Sequence, residues 1–75
     1  TVPVIVKLTP NITDVTVPAA AARRAGADAV SLINTIKSII AVDIDDFVPL
    51  PKVDGKATNG GYCGPAVKPI AMHMV

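Results

Sequence analysis

Two short apolar runs on either side of an alanine-rich stretch constrain this chain more than any other feature. Val2 to Leu8 reads VPVIVKL and closes on Thr9-Pro10, while Asp28 to Asn34 reads DAVSLIN and again closes on a polar residue. Both runs are nearly continuous rather than alternating, the habit of strands covered on both faces in parallel sheets. Pro3 then belongs near a strand start, where a missing N–H donor is tolerated. Between the runs, Thr16 to Ala25 (TVPAAAARRA) has the marks of a helix. Thr16 is a candidate N-cap, and a start at Thr13 with Asp14 in the first turn is equally allowed. Pro18 suits the first turn, the alanines have high propensity, Arg23 and Arg24 suit the negative end of the helix dipole, and Gly26 suits the position just past the end. Strand, helix and strand make a βαβ unit, whose strands run parallel through a right-handed crossover. Parallel strands end on one edge. That edge, where α/β folds build their sites, then carries Lys7 and Asn34 side by side.

The rest of the chain is less regular. Thr35 to Asn59 shows no long periodic element, which is long for a connection in a compact domain and points to a lid or a lining segment. Ile40 to Ile44 and Val48 to Val53 are candidates for a small hairpin, and Val53-Asp54-Gly55-Lys56 carries an Asp-Gly turn signal. Gly60-Gly61-Tyr62-Cys63-Gly64 follows, and Pro65 opens a helix predicted to run through Val75, with Pro69 tightening or kinking its first turns. No C-cap residue follows Val75, so the helix reads as cut while still running.

Composition sets this pattern against the chain's size. Hydrophobic residues make up 51% of 75 residues, yet Phe47 and Tyr62 are the only aromatics and Cys63 is the only cysteine. A domain this small buries roughly 60% of its unfolded surface and normally needs disulfides, metal or large anchors besides. A lone cysteine excludes an internal disulfide, and one histidine without a cysteine pair excludes a zinc centre. The expectation is an internal segment of one larger domain, incomplete at both ends. A net charge of +1 without a basic stripe argues against nucleic acid as a partner. No apolar run approaches the roughly 20 residues of a membrane span, and no secretory signal pattern opens the chain, so a reduced, cytoplasmic setting is expected.

Several residues carry chemistry in more than one reading. Lys7 sits in an apolar strand, where an ammonium needs a partner or a route to solvent. It is either a snorkelling strand-end lysine or a fixed positive charge suited to an electron-rich ring or a phosphate. Asn34 and Thr35 are either ordinary turn formers or paired hydrogen-bonding groups for a flat ring with amide-like edges. GGYCG permits close backbone approach ahead of a helix, but does not fit the spacing of a Walker or Rossmann glycine fingerprint. Cys63, with no basic residue beside it in sequence, reads as an inert thiol, and His73 as a surface or packing residue. Asp43, Asp45, Asp46 and Asp54 lack the calcium-loop pattern, and Asn11-Ile12-Thr13 matches a glycosylation sequon only formally.

Taken together, VKLTPN at 6–11, GADAVSLINT at 26–35 and GGYCGPAVKPIA at 60–71, in this order, resemble the dihydroorotate dehydrogenase superfamily of flavin-dependent (β/α)8 barrels. Within it, the linking segment VDIDDFVPLPKVDGKATNGGYCG is similar to the catalytic subunits of bacterial NAD-dependent dihydropyrimidine dehydrogenases; the NAD-linked dihydroorotate dehydrogenases have a shorter connection and usually serine where Cys63 stands. The resemblance implies an α/β fold: part of a TIM barrel, namely a central βαβ segment, a long loop and the start of the next helix. A whole barrel takes about 250 residues.

The resemblance also implies roles. Lys7 contacts the FMN ring, its charge favouring the anionic reduced flavin. Asn34 and Thr35 bind the pyrimidine substrate. Gly64 approaches the flavin through its backbone, with Cys63 beside it in place of serine. The catalytic cysteine is expected upstream of Lys7, on another loop, and the FMN phosphate loops and iron–sulfur motifs downstream; Cys63 is none of these. The activity implied is interconversion of uracil or thymine with the 5,6-dihydro form, using NAD(H) through a partner flavoprotein subunit. Two rivals stand beside it: a dihydroorotate dehydrogenase on the same scaffold, and a non-catalytic module that folds alone.

Overall fold

The computed structural model describes residues 1–75. The βαβ unit is present: strand β1 (Ile5–Lys7), helix α1 (Thr16–Arg24) and strand β2 (Ala29–Ser31) follow one another. The two strands pair in parallel, with Ile5 opposite Ala29, Val6 opposite Val30 and Lys7 opposite Ser31. Both strands are shorter than the apolar runs that foretold them. Backbone pairing nevertheless continues past their ends. The Val4 carbonyl accepts from the Asp28 N–H at 3.0 Å, and the Leu8 N–H donates to Ser31 at 2.9 Å. At the strand's start the Asp28 carboxylate accepts the Val4 N–H at 2.8 Å, so a side-chain oxygen stands where a ladder carbonyl would otherwise accept.

Helix α1 corrects the expected N-cap. Val15 occupies that position in helical conformation, Thr16 is the first helical residue, and Asp14 supplies the polar end. Asp14 Oδ1 accepts from the Thr16 hydroxyl at 2.6 Å and from the Thr16 N–H at 3.0 Å. A carboxylate satisfies an orphan N–H, as a threonine hydroxyl can, and its negative charge also favours the positive end of the helix dipole. The other end is as expected. Gly26, at φ +94°, donates to Arg23 at 3.0 Å and Ala27 donates to Ala22 at 3.1 Å, the paired bonds of a Schellman stop.

Residues 36–62 hold more order than their sequence suggested. Strand β3 (Ile36–Ser38) pairs antiparallel with β8 (Gly60–Tyr62), and these two enclose two hairpins. The first joins β4 (Ala41–Asp43) to β5 (Val48–Leu50), close to the expected hairpin, although the second run breaks at Pro51. The second joins β6 (Lys52–Val53) to β7 (Lys56–Ala57) through Asp54 and Gly55, both at positive φ, as the Asp-Gly signal required. Beyond Gly64 the helix begins as a 3₁₀ turn, Pro65–Val67, before α2 (Lys68–Met74), so Pro69 stands in the first turn of α2 and the expected tightening lies just ahead of it.

Very little is buried. Leu8, Ala22 and Val67 are the only buried residues, while Ile5, Ile44 and Phe47 are 65%, 81% and 81% exposed. The radius of gyration is 16.3 Å, against about 11 Å for a compact chain of this length. Apolar residues of β1 and α1, among them Val4, Val6, Ala21 and Ala25, line an open groove. No helix is long and apolar enough to cross a membrane.

Candidate functional site

The C-terminal edge of the parallel pair is where the three motifs meet. β1 delivers Lys7 to that edge, opposite Ser31, and the Asn34 N–H donates to the Leu8 carbonyl at 3.2 Å. A hydrogen bond therefore ties the two strand ends together one residue after the lysine. The sequence places Lys7 and Asn34 on one edge, and the parallel register puts them there. Lys7 is exposed and has no ion-pair partner, the only pair being Lys52 with Asp46 at 4.0 Å. A lysine at a strand end without a carboxylate beside it keeps its full charge for whatever anionic group lies over the edge.

Asn34 and Thr35 follow directly. Asn34 Oδ1 accepts the Thr35 N–H at 2.8 Å, which fixes the carboxamide and leaves its NH2 group as a donor, while the Thr35 hydroxyl lies against Gly61. Both residues are exposed. Donors held this way complement a planar ring that alternates carbonyl and N–H groups.

The glycine segment arrives through β8. Ile36 pairs with Tyr62, Lys37 with Gly61 and Ser38 with Gly60, so the segment runs back alongside the residues that follow Thr35. Gly61 is packed against Thr35 itself: a Cβ on Gly61 would overlap the Thr35 hydroxyl and stand 2.6 Å from Thr35 Cβ. Sequence reasoning treated GGYCG as a loop and missed this pairing, because glycine has low strand propensity and hides the ladder. Cys63 and Gly64 lie beyond the strand, Cys63 exposed, Gly64 at φ +97° with no atom within 4 Å of where a Cβ would project. Such an open backbone turn lets a flat group approach the main chain directly.

Asn11 is the second residue that the sequence left unassigned. Its Nδ2 donates to the Thr35 carbonyl at 3.1 Å and its Oδ1 accepts the Lys37 N–H at 2.9 Å. The signal available was its place in the first turn after a site-forming strand, and the sequon reading obscured it.

Other candidates stay apart from this edge. His73 lies on α2, across a groove from Thr13 and Asp14. Asp43 accepts from the Asp45 and Asp46 N–H groups, at 2.9 and 3.3 Å, inside the β4–β5 loop, and these bonds hold its carboxyl below the usual carboxylate range. No group of three metal-ligating side chains is assembled.

For an FMN ring the chain offers an unneutralised ammonium at Lys7, on the edge that carries Asn34 and Thr35, and an open, positive-φ turn at Gly64, two residues beyond β8. These fit a flat, electron-rich group.

Comparison with known proteins agrees with the geometry. The family profile "Dihydroorotate dehydrogenase" matches residues 1–75. The catalytic subunit of dihydroorotate dehydrogenase B (NAD(+)) from Caldicellulosiruptor bescii is 58% identical over 73 residues, covering 97% of this chain and 23% of the relative. The PreA subunit of NAD-dependent dihydropyrimidine dehydrogenase from Escherichia coli K12 is 47% identical over 75 residues, covering 100% of this chain and 18% of the relative. The chloroplastic dihydropyrimidine dehydrogenase (NADP(+)) of Arabidopsis thaliana is also 47% identical over 75 residues, with the same coverage. The chain thus spans about a fifth of the length of these relatives.

Proposed function

The chain belongs to the dihydroorotate dehydrogenase family, and on that footing we propose that it is an internal segment of an FMN-binding (β/α)8 barrel whose enzyme interconverts a pyrimidine and its 5,6-dihydro form. The observation that supports this reading is that Lys7, Asn34 with Thr35, and Gly61, from three separate parts of the sequence, come together around one strand edge.

Each residue has a task there. FMN, when bound, supplies two-electron chemistry between the pyrimidine ring and NAD(H). Lys7 presents a positive charge toward the flavin ring, which favours negative charge on that ring. Asn34 and Thr35 orient the pyrimidine through its carbonyl and N–H edge, so that the ring carbons rather than the polar edge meet the flavin. Gly64 lets the backbone lie against the flavin, and Cys63 sits beside it. The thiol that exchanges the proton at pyrimidine C5 comes from another part of the barrel, and NAD(H) electrons enter through a partner flavoprotein subunit and iron–sulfur clusters.

The match to dihydropyrimidine dehydrogenases over all 75 residues supports uracil or thymine as substrate. The 58% identity to a dihydroorotate dehydrogenase B subunit favours dihydroorotate as the second reading. Turnover of dihydrouracil and dihydroorotate by the full-length protein separates the two. The site assignment itself is tested by Lys7→Ala, expected to weaken flavin binding or slow its reduction, and by Asn34→Ala, expected to raise the substrate KM about tenfold, the equivalent of one lost buried hydrogen bond. Wild-type kinetics in both variants would overturn it.

A further inference from the structure

We propose that Asn11 is a positioning residue that sets where Asn34 and Thr35 stand at the strand edge, an inference that rests on the pyrimidine-site reading above. Asn11 lies 24 residues before Thr35 in sequence, and its carboxamide spends both ends on one short stretch of backbone. Nδ2 donates to the carbonyl of Thr35 at 3.1 Å, and Oδ1 accepts the N–H of Lys37 at 2.9 Å.

Bonding the carbonyl before a residue and the N–H after it is the pattern a parallel strand offers to its neighbour. The Asn11 side chain thus takes the place of a neighbouring strand along one side of β3, while β8 pairs along the other. Asn11 is itself anchored, its own N–H donating to Thr9 Oγ1 at 3.0 Å, in the turn that leaves β1 just after Lys7. One side chain therefore couples the end of the lysine strand to the substrate-binding pair. Upstream, the Asn34 N–H is already held by the Leu8 carbonyl at 3.2 Å. The Asn34–Thr35 turn is then pinned on both sides by the same stretch, residues 8–11. Only a carboxamide supplies a donor and an acceptor at this spacing. Aspartate keeps the bond to Lys37 but sets an oxygen against the Thr35 carbonyl, and alanine loses both.

The test uses the full-length flavoprotein with Asn11→Ala, alone and combined with Thr35→Ala. The expected result is a pyrimidine KM raised about tenfold, kcat within about twofold, and unchanged flavin content and visible spectrum, since the Lys7 contact is untouched; tenfold is about 1.4 kcal/mol. The double variant is expected to lose less than the sum of the two single losses, because part of what Asn11 does is to place the Thr35 side chain, the rest acting through Asn34. An unchanged KM with flavin retained, or losses that simply add, would overturn the proposal. If Asn11→Ala loses flavin, Asn11→Asp is measured instead, with a raised KM expected and a wild-type KM fatal. Failure of the underlying reading looks different: Asn34→Ala and Thr35→Ala would themselves keep the wild-type KM.

Discussion

Gly61 lies so close to Thr35 that a methyl group in place of its hydrogen would overlap the Thr35 hydroxyl and stand 2.6 Å from Thr35 Cβ. Rotating the threonine side chain relieves the first clash but not the second, because Cβ is fixed to the backbone. A Gly61→Ala variant must therefore push β8 away from the start of β3, next to the Asn34–Thr35 pair proposed to bind substrate. Overpacking of this kind costs about 1–3 kcal/mol. The expected outcome is a severalfold rise in substrate KM together with a lower melting temperature, read by steady-state kinetics and thermal denaturation of the full-length protein. Gly60 is the internal comparison. Its nearest neighbour to a new Cβ is Pro51 Cγ at 3.9 Å, ordinary contact, so Gly60→Ala should keep both values near wild type.

The helix stop gives a prediction confined to stability. Gly26 holds φ +94° with no atom within 4 Å of a built Cβ, so an alanine there meets no clash and suffers only the left-handed backbone penalty. That penalty is about 1–2 kcal/mol. Gly26→Ala should lower the thermal midpoint without changing the substrate KM, and Gly26→Asn should cost less, since asparagine accepts this conformation more readily. A melt of the three proteins side by side checks the order.

How much of this was legible in the residues depended on where each signal lived. The βαβ unit could be read because its information is local: two apolar runs, an alanine helix and a glycine stop each specify their own conformation. The β6–β7 turn followed from Asp54-Gly55 for the same reason. The edge that carries Lys7 and Asn34 then came from topology alone, since parallel strands must end together. What stayed hidden was long-range. The β3–β8 pairing joins residues over 20 positions apart through two glycines that carry no strand pattern, and the Asn11 clamp depends on where the β1 turn meets β3. The N-cap was misassigned by one residue for a smaller reason. Starts at Thr13 and at Thr16 both fit the residues, and only geometry shows that the Thr16 hydroxyl donates to the Asp14 carboxylate instead of capping the helix itself.

That bond makes a pH prediction. The Thr16 hydroxyl first, and the Thr16 N–H second, hold the Asp14 carboxyl below its ordinary value. A carboxylate whose pKa is lower folded than unfolded adds stability that is fully present above the unfolded value and is lost as pH falls through the folded one. Thr16→Val removes the hydroxyl donor, so the Asp14 titration, followed by carboxyl carbon NMR, should move up toward the ordinary value. The same variant should melt lower than wild type near neutral pH and converge with it in acid, where both carboxyls are protonated. A constant gap across pH would assign the effect to helix propensity instead.

The last prediction concerns the 75 residues by themselves. Only Leu8, Ala22 and Val67 are buried, and Val4, Val6, Ala21 and Ala25 line a groove that nothing in the chain covers. The β1–β2 pair has two strands and hence two unpaired edges, and a sheet this small lacks the hydrophobic face needed for independent stability. In a barrel the same surfaces would lie against neighbouring strands and helices, which is where the exposed Ile5 and Val30 would lose their water. The isolated chain should therefore show no cooperative thermal transition, poor solubility and no stoichiometric yellow complex when titrated with FMN, while the full-length protein shows all the opposite properties. A sharp melt and tight flavin binding by the isolated chain would make it a domain in its own right, and would show that the three site motifs need no barrel to hold them.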